Sequence, residues 1–153
     1  MKIIDLLDTR RILTNLQGTT KKAVLEELTD ALVQEFHTLD RQEVMKVLLE
    51  RENLGSTGIG DNIAIPHGKL ADLDNLVLCF GRSLAGINFD SMDGKPTHLF
   101  FLLLAPENSI GLHLKALAKI SRLLKDSAFR RKLLEAPDAG AIMNLLAAED
   151  RDP

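Results

Sequence analysis

The chain has 153 residues, of which 45% are hydrophobic and 27% charged, and its formal net charge is -3. This length suits one domain with its own core, and the scattered basic residues and the lack of Trp and Tyr argue against nucleic-acid binding. The single cysteine excludes an internal disulfide framework, and the charged residues near the N-terminus exclude a signal peptide. The longest apolar run, Leu99 to Ala105, is too short for a membrane helix. These features predict a cytoplasmic protein.

The first half of the chain is predicted to begin with a short edge strand in RRILTNLQG, followed by two helices. From Thr20 to His37 the apolar residues recur at helical spacing, and Thr19 or Thr20 can cap the start. A second helix is capped by Asp40 and runs to about Glu52, and Gly55 ends it.

Apolar segments in the middle of the chain predict strands. NIAIP alternates in hydrophobicity, whereas NLVLCFGRS and THLFFLLLAP are continuous runs, as expected of strands that are covered on both faces. A turn is predicted at Asp93-Gly94 between the two runs.

The remainder is predicted to be helical, over about Ser109 to Lys125, Ala128 to Glu135 and Ala139 to Ala148, with a frayed tail EDRDP. Pro137 separates the last two helices, and Asp138 caps the final one. Helices at both ends of a set of apolar strands predict a layered α/β fold.

His67 follows Pro66 at the end of the NIAI segment. Because proline cannot donate to a strand ladder, pairing should stop there and leave the imidazole at the carboxyl end of a strand, where α/β proteins often bind ligands. The same pattern also fits a polar residue in a turn.

His113 shares a helical stripe with Leu117, Ile120 and Leu124, so its imidazole should face inward near the start of that helix. Alone it would be interpreted as a core histidine. With a second histidine predicted at a nearby strand end, it is also a candidate for a site, because a helix N-terminus favours anions and a neutral imidazole.

Arg51 lies on the apolar stripe of the second helix, four residues before the loop GSTGIG. Its guanidinium could bind phosphate oxygens with two donors, or it could extend outward beside Glu50 or Glu52. The loop matches neither common nucleotide motif, but its amides and the hydroxyls of Ser56 and Thr57 could form an anion nest.

Other kinds of site have less support. No histidine pair has H-x-x-x-H spacing, so a metal site is not predicted, and the absence of a G-x-S-x-G elbow argues against a hydrolase. No cofactor is predicted. Cys79 lies in an apolar strand and is predicted to be a core residue.

Three segments together resemble a known family. STGIGDNIAIPHGK, LHLKALAKISRLL and ERENLGSTGIG are similar to segments of the enzyme IIA domains of the fructose–mannitol class (type 2) of the bacterial phosphoenolpyruvate-dependent phosphotransferase system. The resemblance implies one domain over residues 1–153, with its core at about 4–146, built as a mixed β-sheet flanked by helices.

The resemblance also implies a function. His67 would accept a phosphoryl group from a histidine-phosphocarrier protein and pass it on, and His113 would orient the imidazole or bind its phosphoryl group. Arg51 would contact the phosphate, and Ser56 and Thr57 match the family's hydroxyl-bearing loop. Transfer between imidazoles needs no metal bound to this chain.

Within the family, IPHGKL and the expected lack of an appended IIB domain most resemble the nitrogen-regulatory type. A regulator that acts through phosphorylation-dependent protein contacts is therefore the first prediction. The alternatives are the IIA component of a fructose- or mannitol-type uptake system with a IIB partner, and a regulator that only binds.

Overall fold

The computed structural model describes residues 1–150. Two short 3₁₀ turns, Ile3–Asp5 and Thr9–Arg11, precede the regular elements. These elements are, in chain order, β1 Ile12–Leu13, α1 Lys21–Glu35, α2 Arg41–Leu54, β2 Gly58–Gly60, β3 Ile63–Ala64, β4 His67–Leu70, β5 Val77–Ile87, β6 Thr97–Pro106, α3 Ile110–Leu123, α4 Ser127–Glu135 and α5 Ala139–Glu149.

The strands form one mixed sheet with β6 at its centre. β5 pairs with β6 in the antiparallel sense, while β3 and β4 lie in succession along the opposite edge of β6 and run parallel to it. β1 is parallel to β5 at one edge, and β2 pairs with β3 at the other. The predicted α/β class and mixed sheet are confirmed.

Both faces of the sheet are covered, which explains the continuous apolar runs of β5 and β6. Alternate residues of β6 enter two different cores: Phe101 packs on the side of α3, α4 and α5, and Phe100 packs on the side of α1 and α2. Each ring has an edge-on aromatic partner, Phe80 and Phe89 respectively. Cys79 is buried in the second core, as predicted, and burial raises the pKa of its thiol to about 12.

Most predicted helix starts are confirmed by their caps. The side chains of Thr20, Asp40 and Asp138 accept backbone N–H bonds from the first turns of α1, α2 and α5. Such caps satisfy amides that have no partner inside the helix. The predicted turn at Asp93-Gly94 is also present, with the Gly94 amide donating to the Ser91 carbonyl at 2.9 Å.

The prediction that strand pairing stops at Pro66 is wrong. β4 begins at His67, whose partner on β6 is Leu103, and the Pro66 carbonyl accepts from the Leu103 amide at 2.9 Å. Proline lacks only the donor, so its carbonyl still joins the ladder and the strand resumes at the next residue. His67 therefore lies on a paired strand instead of in a free turn.

Gly68 allows α2 to approach β4 closely. A Cβ atom at this position would overlap the Cγ1 atom of Val47 on α2, so a larger residue fits only if the Val47 side chain or the helix shifts. Since the next helical turn carries Arg51, this close packing brings the end of α2 to the start of β4.

The prediction of a frayed tail is wrong for the two residues that the structure describes. Glu149 ends α5, and the buried carboxylate of Asp150 pairs with Lys119 at 2.8 Å and accepts from the amides of Ile3 and Ile4. The two amide hydrogen bonds join the end of the described chain to its start, and the ion pair joins it to α3. The rest of the predicted tail, residues 151–153, lies outside the described residues.

Candidate active site

Three of the predicted site residues meet in one cleft between α2 and α3. His67 is the first residue of β4, Arg51 lies in the last turn of α2, and His113 lies one turn into α3. The cleft has a volume of about 1130 Å³, and all three side chains line it. Residues far apart in sequence thus form one constellation.

The hydrogen bonds of His67 determine which nitrogen is available. Nδ1 lies 2.8 Å from the Ile65 carbonyl oxygen, which can only accept, so Nδ1 carries the hydrogen. Nε2 then holds the lone pair, and it accepts from Nε of Arg51 at 3.3 Å. The imidazole is therefore oriented with its nucleophilic nitrogen toward the guanidinium.

His113 lies edge-on to His67, with ring centroids 5.3 Å apart and an interplanar angle of 70°. It is buried, and its Nε2 has no hydrogen-bond partner among residues 1–150. Burial lowers the pKa of His113 to about 4, and the positive charges that His67 and Lys69 can carry act in the same direction. A neutral ring with an unused polar atom therefore faces the cleft beside His67.

The pKa of His67 also lies below its ordinary value. Burial is the main cause, and the Ile65 carbonyl opposes it by stabilising the protonated ring. The nearby cations Arg51 and Lys69 lower the pKa, whereas Glu52 raises it. At neutral pH the imidazole is thus uncharged and available as a nucleophile.

Ser56 and Thr57 are not brought onto His67. The Ser56 hydroxyl donates to the Phe89 carbonyl at 2.6 Å, and the buried Thr57 hydroxyl donates to Glu52. The amides of Thr57 and Gly58 are also engaged, with Glu52 and Ser56. The expected anion nest is therefore closed by internal hydrogen bonds, and these residues fix the loop's shape.

The sequence interpretation missed Glu52, which was considered only as a possible surface neighbour of Arg51. It is buried and lies on the inward stripe of α2 with Val44 and Leu48. That spacing, i, i+4 and i+8, was the available signal, since it places a carboxylate on a buried helix face.

The rim of the cleft is apolar and acidic. Leu54, Ile110 and Leu114 are exposed there, with more than half of each residue accessible to solvent. Five exposed carboxylates also line the cleft, and none forms an ion pair with another residue of the described chain: Asp40, Glu43, Glu50, Asp72 and Glu107.

No group of three or more His, Cys, Asp or Glu side chains in residues 1–150 is arranged to hold a metal ion. None of the helices in this part of the chain has both the length and the apolar character needed to span a bilayer.

The depressed pKa of His113 predicts an acid-sensitive fold. A histidine whose pKa is lower in the folded protein than in the unfolded chain binds fewer protons in the folded state. The unfolding free energy is therefore unaffected by this histidine above pH 6.5 and falls progressively between pH 6.5 and about pH 4, where the unfolded chain alone is protonated. Between pH 7 and pH 5 this difference amounts to roughly 2 kcal/mol of unfolding free energy. Urea titrations at pH 7 and pH 5 measure the drop in unfolding free energy between the two pH values. This drop should be smaller in His113→Gln than in the wild type by about this amount.

The exposed His37→Gln is the matched control and should keep the pH dependence of the wild type. An unchanged pH dependence in His113→Gln would contradict a buried neutral imidazole at this position.

Comparison with known proteins gives a consistent family. Residues 5–149 match the family described as "Phosphoenolpyruvate-dependent sugar phosphotransferase system, EIIA 2". A nitrogen regulatory protein of Bradyrhizobium diazoefficiens is 46% identical over 96% of this chain and 95% of its own length. The crystal structure of nitrogen regulatory protein IIA-Ntr from Neisseria meningitidis superimposes with a TM-score of 0.88 at 34% identity, covering 94% of this chain and 98% of that one.

A sugar-specific protein is similar as well. The fructose-specific EIIABC component of the Bacillus subtilis phosphotransferase system is 40% identical over 99% of this chain, which spans only 24% of that relative. The resemblance predicted from the histidine and arginine segments is therefore confirmed, and the chain belongs to the type 2 enzyme IIA family of the phosphoenolpyruvate-dependent phosphotransferase system.

Proposed function

We propose that the chain acts as a single enzyme IIA domain that accepts a phosphoryl group on Nε2 of His67 from a histidine-phosphocarrier protein and passes it on. One observation supports this most directly: Nδ1 is tied to the Ile65 carbonyl, which leaves the Nε2 lone pair facing Arg51 beside the unpartnered His113. We place this reaction in the cytoplasm, because a chain with a single cysteine fits a reducing compartment.

The proposed step exchanges one P–N bond for another. Nε2 of His67 attacks the phosphorus in line, while the bond to the carrier's imidazole nitrogen breaks and leaves its electron pair there. No proton has to move, because His67 keeps its hydrogen on Nδ1 throughout. The positive charge that develops on the ring is stabilised by the Ile65 carbonyl, which already favours the charged form.

Arg51 and His113 are the groups placed to stabilise the transferred phosphoryl group. As phosphorus approaches Nε2, the guanidinium gives up its hydrogen bond to that nitrogen and can direct its donors at phosphoryl oxygens. Nε2 of His113 can donate to a phosphoryl oxygen when its hydrogen is on that nitrogen. Ser56 and Thr57 contribute through the loop and are not proposed as phosphate ligands.

Phosphorylation changes the surface that partners meet. It adds a charge of roughly -1.5 to -2 at neutral pH, taking phosphoserine as a guide, to a cleft already lined by five unpaired carboxylates. A carrier that fits this rim has an apolar patch surrounded by cationic side chains, which Leu54, Ile110 and the carboxylates complement. The added charge can then favour one downstream partner over another.

Incubation with phosphoenolpyruvate, enzyme I and a phosphocarrier protein tests the proposal. We expect intact-mass analysis to show one acid-labile phosphoryl group per chain. An unmodified mass, with the carrier itself phosphorylated in the same tube, would instead support a regulator that only binds.

We favour nitrogen-related regulation as the downstream role, because the chain matches a nitrogen regulatory protein over nearly the full length of both proteins. Sugar uptake is the second candidate, supported by the 40% identity to a fructose-specific component. Phosphorylated chain should be mixed with a fructose-type IIB domain. Rapid transfer would support uptake, and retained phosphate would support regulation.

His113→Ala should slow phosphorylation of His67 without abolishing it, because the variant removes one donor and one wall of the cleft while leaving the nucleophile in place. We expect roughly a ten- to hundredfold lower rate. Quenched-flow labelling followed by mass analysis measures it. A wild-type rate would reduce His113 to a core histidine.

A further inference from the structure

Glu52 is a buried carboxylate that has no role in the proposed reaction. Its side chain is only 4% exposed, although a carboxylate is costly to remove from water unless it is paired and hydrogen-bonded. It directly follows Arg51 in the last turn of α2. The partners of this carboxylate show what its burial achieves.

Three donors satisfy the Glu52 carboxylate. The Thr57 amide donates to Oε1 at 3.1 Å, the Thr57 hydroxyl donates to Oε2, and the ammonium of Lys21 lies 3.0 Å from Oε1. Lys21 is the first residue of α1, and it also lies 4.6 Å from the centre of the Phe89 ring. One carboxylate thus connects α1, α2 and the glycine-rich loop.

Arg51 holds the same loop from its other end. Its Nη1 donates to the Gly55 carbonyl at 2.8 Å, while its Nε donates to Nε2 of His67. Two consecutive residues therefore fasten the loop at Gly55 and at Thr57. Only Ser56 separates Gly55 from Thr57, so a loop that loses its contacts with Glu52 at Thr57 can also shift the Gly55 carbonyl to which the Arg51 guanidinium donates.

We propose that Glu52 is a positioning residue of the His67 site: by fixing Thr57 and the loop, with Lys21 as its counter-ion, it keeps the Arg51 guanidinium against Nε2 of His67. This inference rests on the proposed function for its kinetic consequence. Its structural consequence, the placement of the guanidinium, can be measured without any phosphoryl transfer.

Glu52→Gln and Glu52→Ala test the kinetic consequence. Glutamine keeps an acceptor for the Thr57 amide but not the charge, so we expect a graded loss, with Glu52→Ala reduced roughly ten- to hundredfold in kcat. KM for the carrier protein should stay unchanged, because Glu52 does not line the cleft. Phosphoramidate, a small phosphoryl donor that needs no docking surface, should show the same loss.

Glu35→Gln is the matched control, since Glu35 is a half-buried carboxylate paired with Arg11 and lies outside the cleft. It should lower stability and leave the rate of labelling unchanged. Equal losses in Glu35→Gln and Glu52→Gln would overturn the proposal by showing a general effect of stability.

The pKa of His67, measured by NMR titration of its ring protons, distinguishes positioning from simple charge removal. Losing the carboxylate alone would lower this pKa, because Glu52 raises it. Losing the guanidinium as well would offset that fall, because the Arg51 charge lowers the pKa. Both Glu52 variants lose the charge, but only Glu52→Ala also loses the acceptor that holds Thr57. We therefore expect a higher pKa of His67 in Glu52→Ala than in Glu52→Gln, and equal values would overturn the proposal. Failure of the wild type to be labelled would refute the proposed function while leaving this titration to test the inference.

Discussion

Replacing His67 with alanine should abolish the acid-labile phosphoryl adduct. The variant removes the only ring nitrogen in the described cleft that has a lone pair fixed toward the guanidinium, with Nδ1 held by the Ile65 carbonyl and Nε2 facing Arg51. His113 cannot substitute, since it is 5% exposed and its Nε2 is buried without a hydrogen bond that would fix the tautomer. Intact-mass analysis after incubation with the complete donor mixture measures the loss.

Two controls make the result interpretable. His37→Ala removes an exposed histidine outside the cleft and should be labelled like the wild type. Thermal unfolding of His67→Ala should remain cooperative, because the His67 side chain is only partly buried and borders an open cleft. Full labelling of His67→Ala would remove this residue from the mechanism.

The sequence was sufficient where burial decides the structure. The apolar run of β6 was predicted at its observed bounds, Thr97–Pro106, because a strand covered on both faces must be apolar throughout. His113 was predicted to face inward because its helical stripe continues through Ile120, which is also buried. In both cases one periodic pattern reflects one buried surface.

Prediction failed where a local signal has two structural outcomes. Pro66 does break the donor side of a ladder, yet its carbonyl pairs with Leu103 and β4 follows at once. The glycines of β2 were assigned to a loop. They form a short strand instead, because Asp61 and Asn62, at φ of 55° and 71°, make the left-handed turn of a tight hairpin with β3.

The site shows the same division. The residues whose chemistry is distinctive in sequence, His67, His113 and Arg51, do meet in the cleft. The hydroxyls of Ser56 and Thr57 were expected to face a phosphate, but the sequence does not show which acceptor each hydroxyl donates to. The answer depends on Glu52, a carboxylate in a charged segment whose burial follows from the packing of α1 on α2.

Arg51→Ala should lower the rate of His67 phosphorylation roughly a hundred- to thousandfold, the usual effect of losing one donor to a developing oxyanion. Arg51→Lys should recover only part of the rate, since an ammonium keeps the charge but cannot replace both the Gly55 and His67 contacts of the guanidinium. The pKa of His67 should rise in Arg51→Ala, because the positive charge that disfavours its protonation is gone. Stopped-time labelling across pH 5–8 would then show the alanine variant losing activity at a higher pH than the wild type.

Arg41→Ala is the control, because Arg41 lies at the exposed start of the same helix. It should keep both the rate and the pH profile of the wild type. An unchanged rate and pH profile in Arg51→Ala would show that the guanidinium beside Nε2 takes no part in transfer.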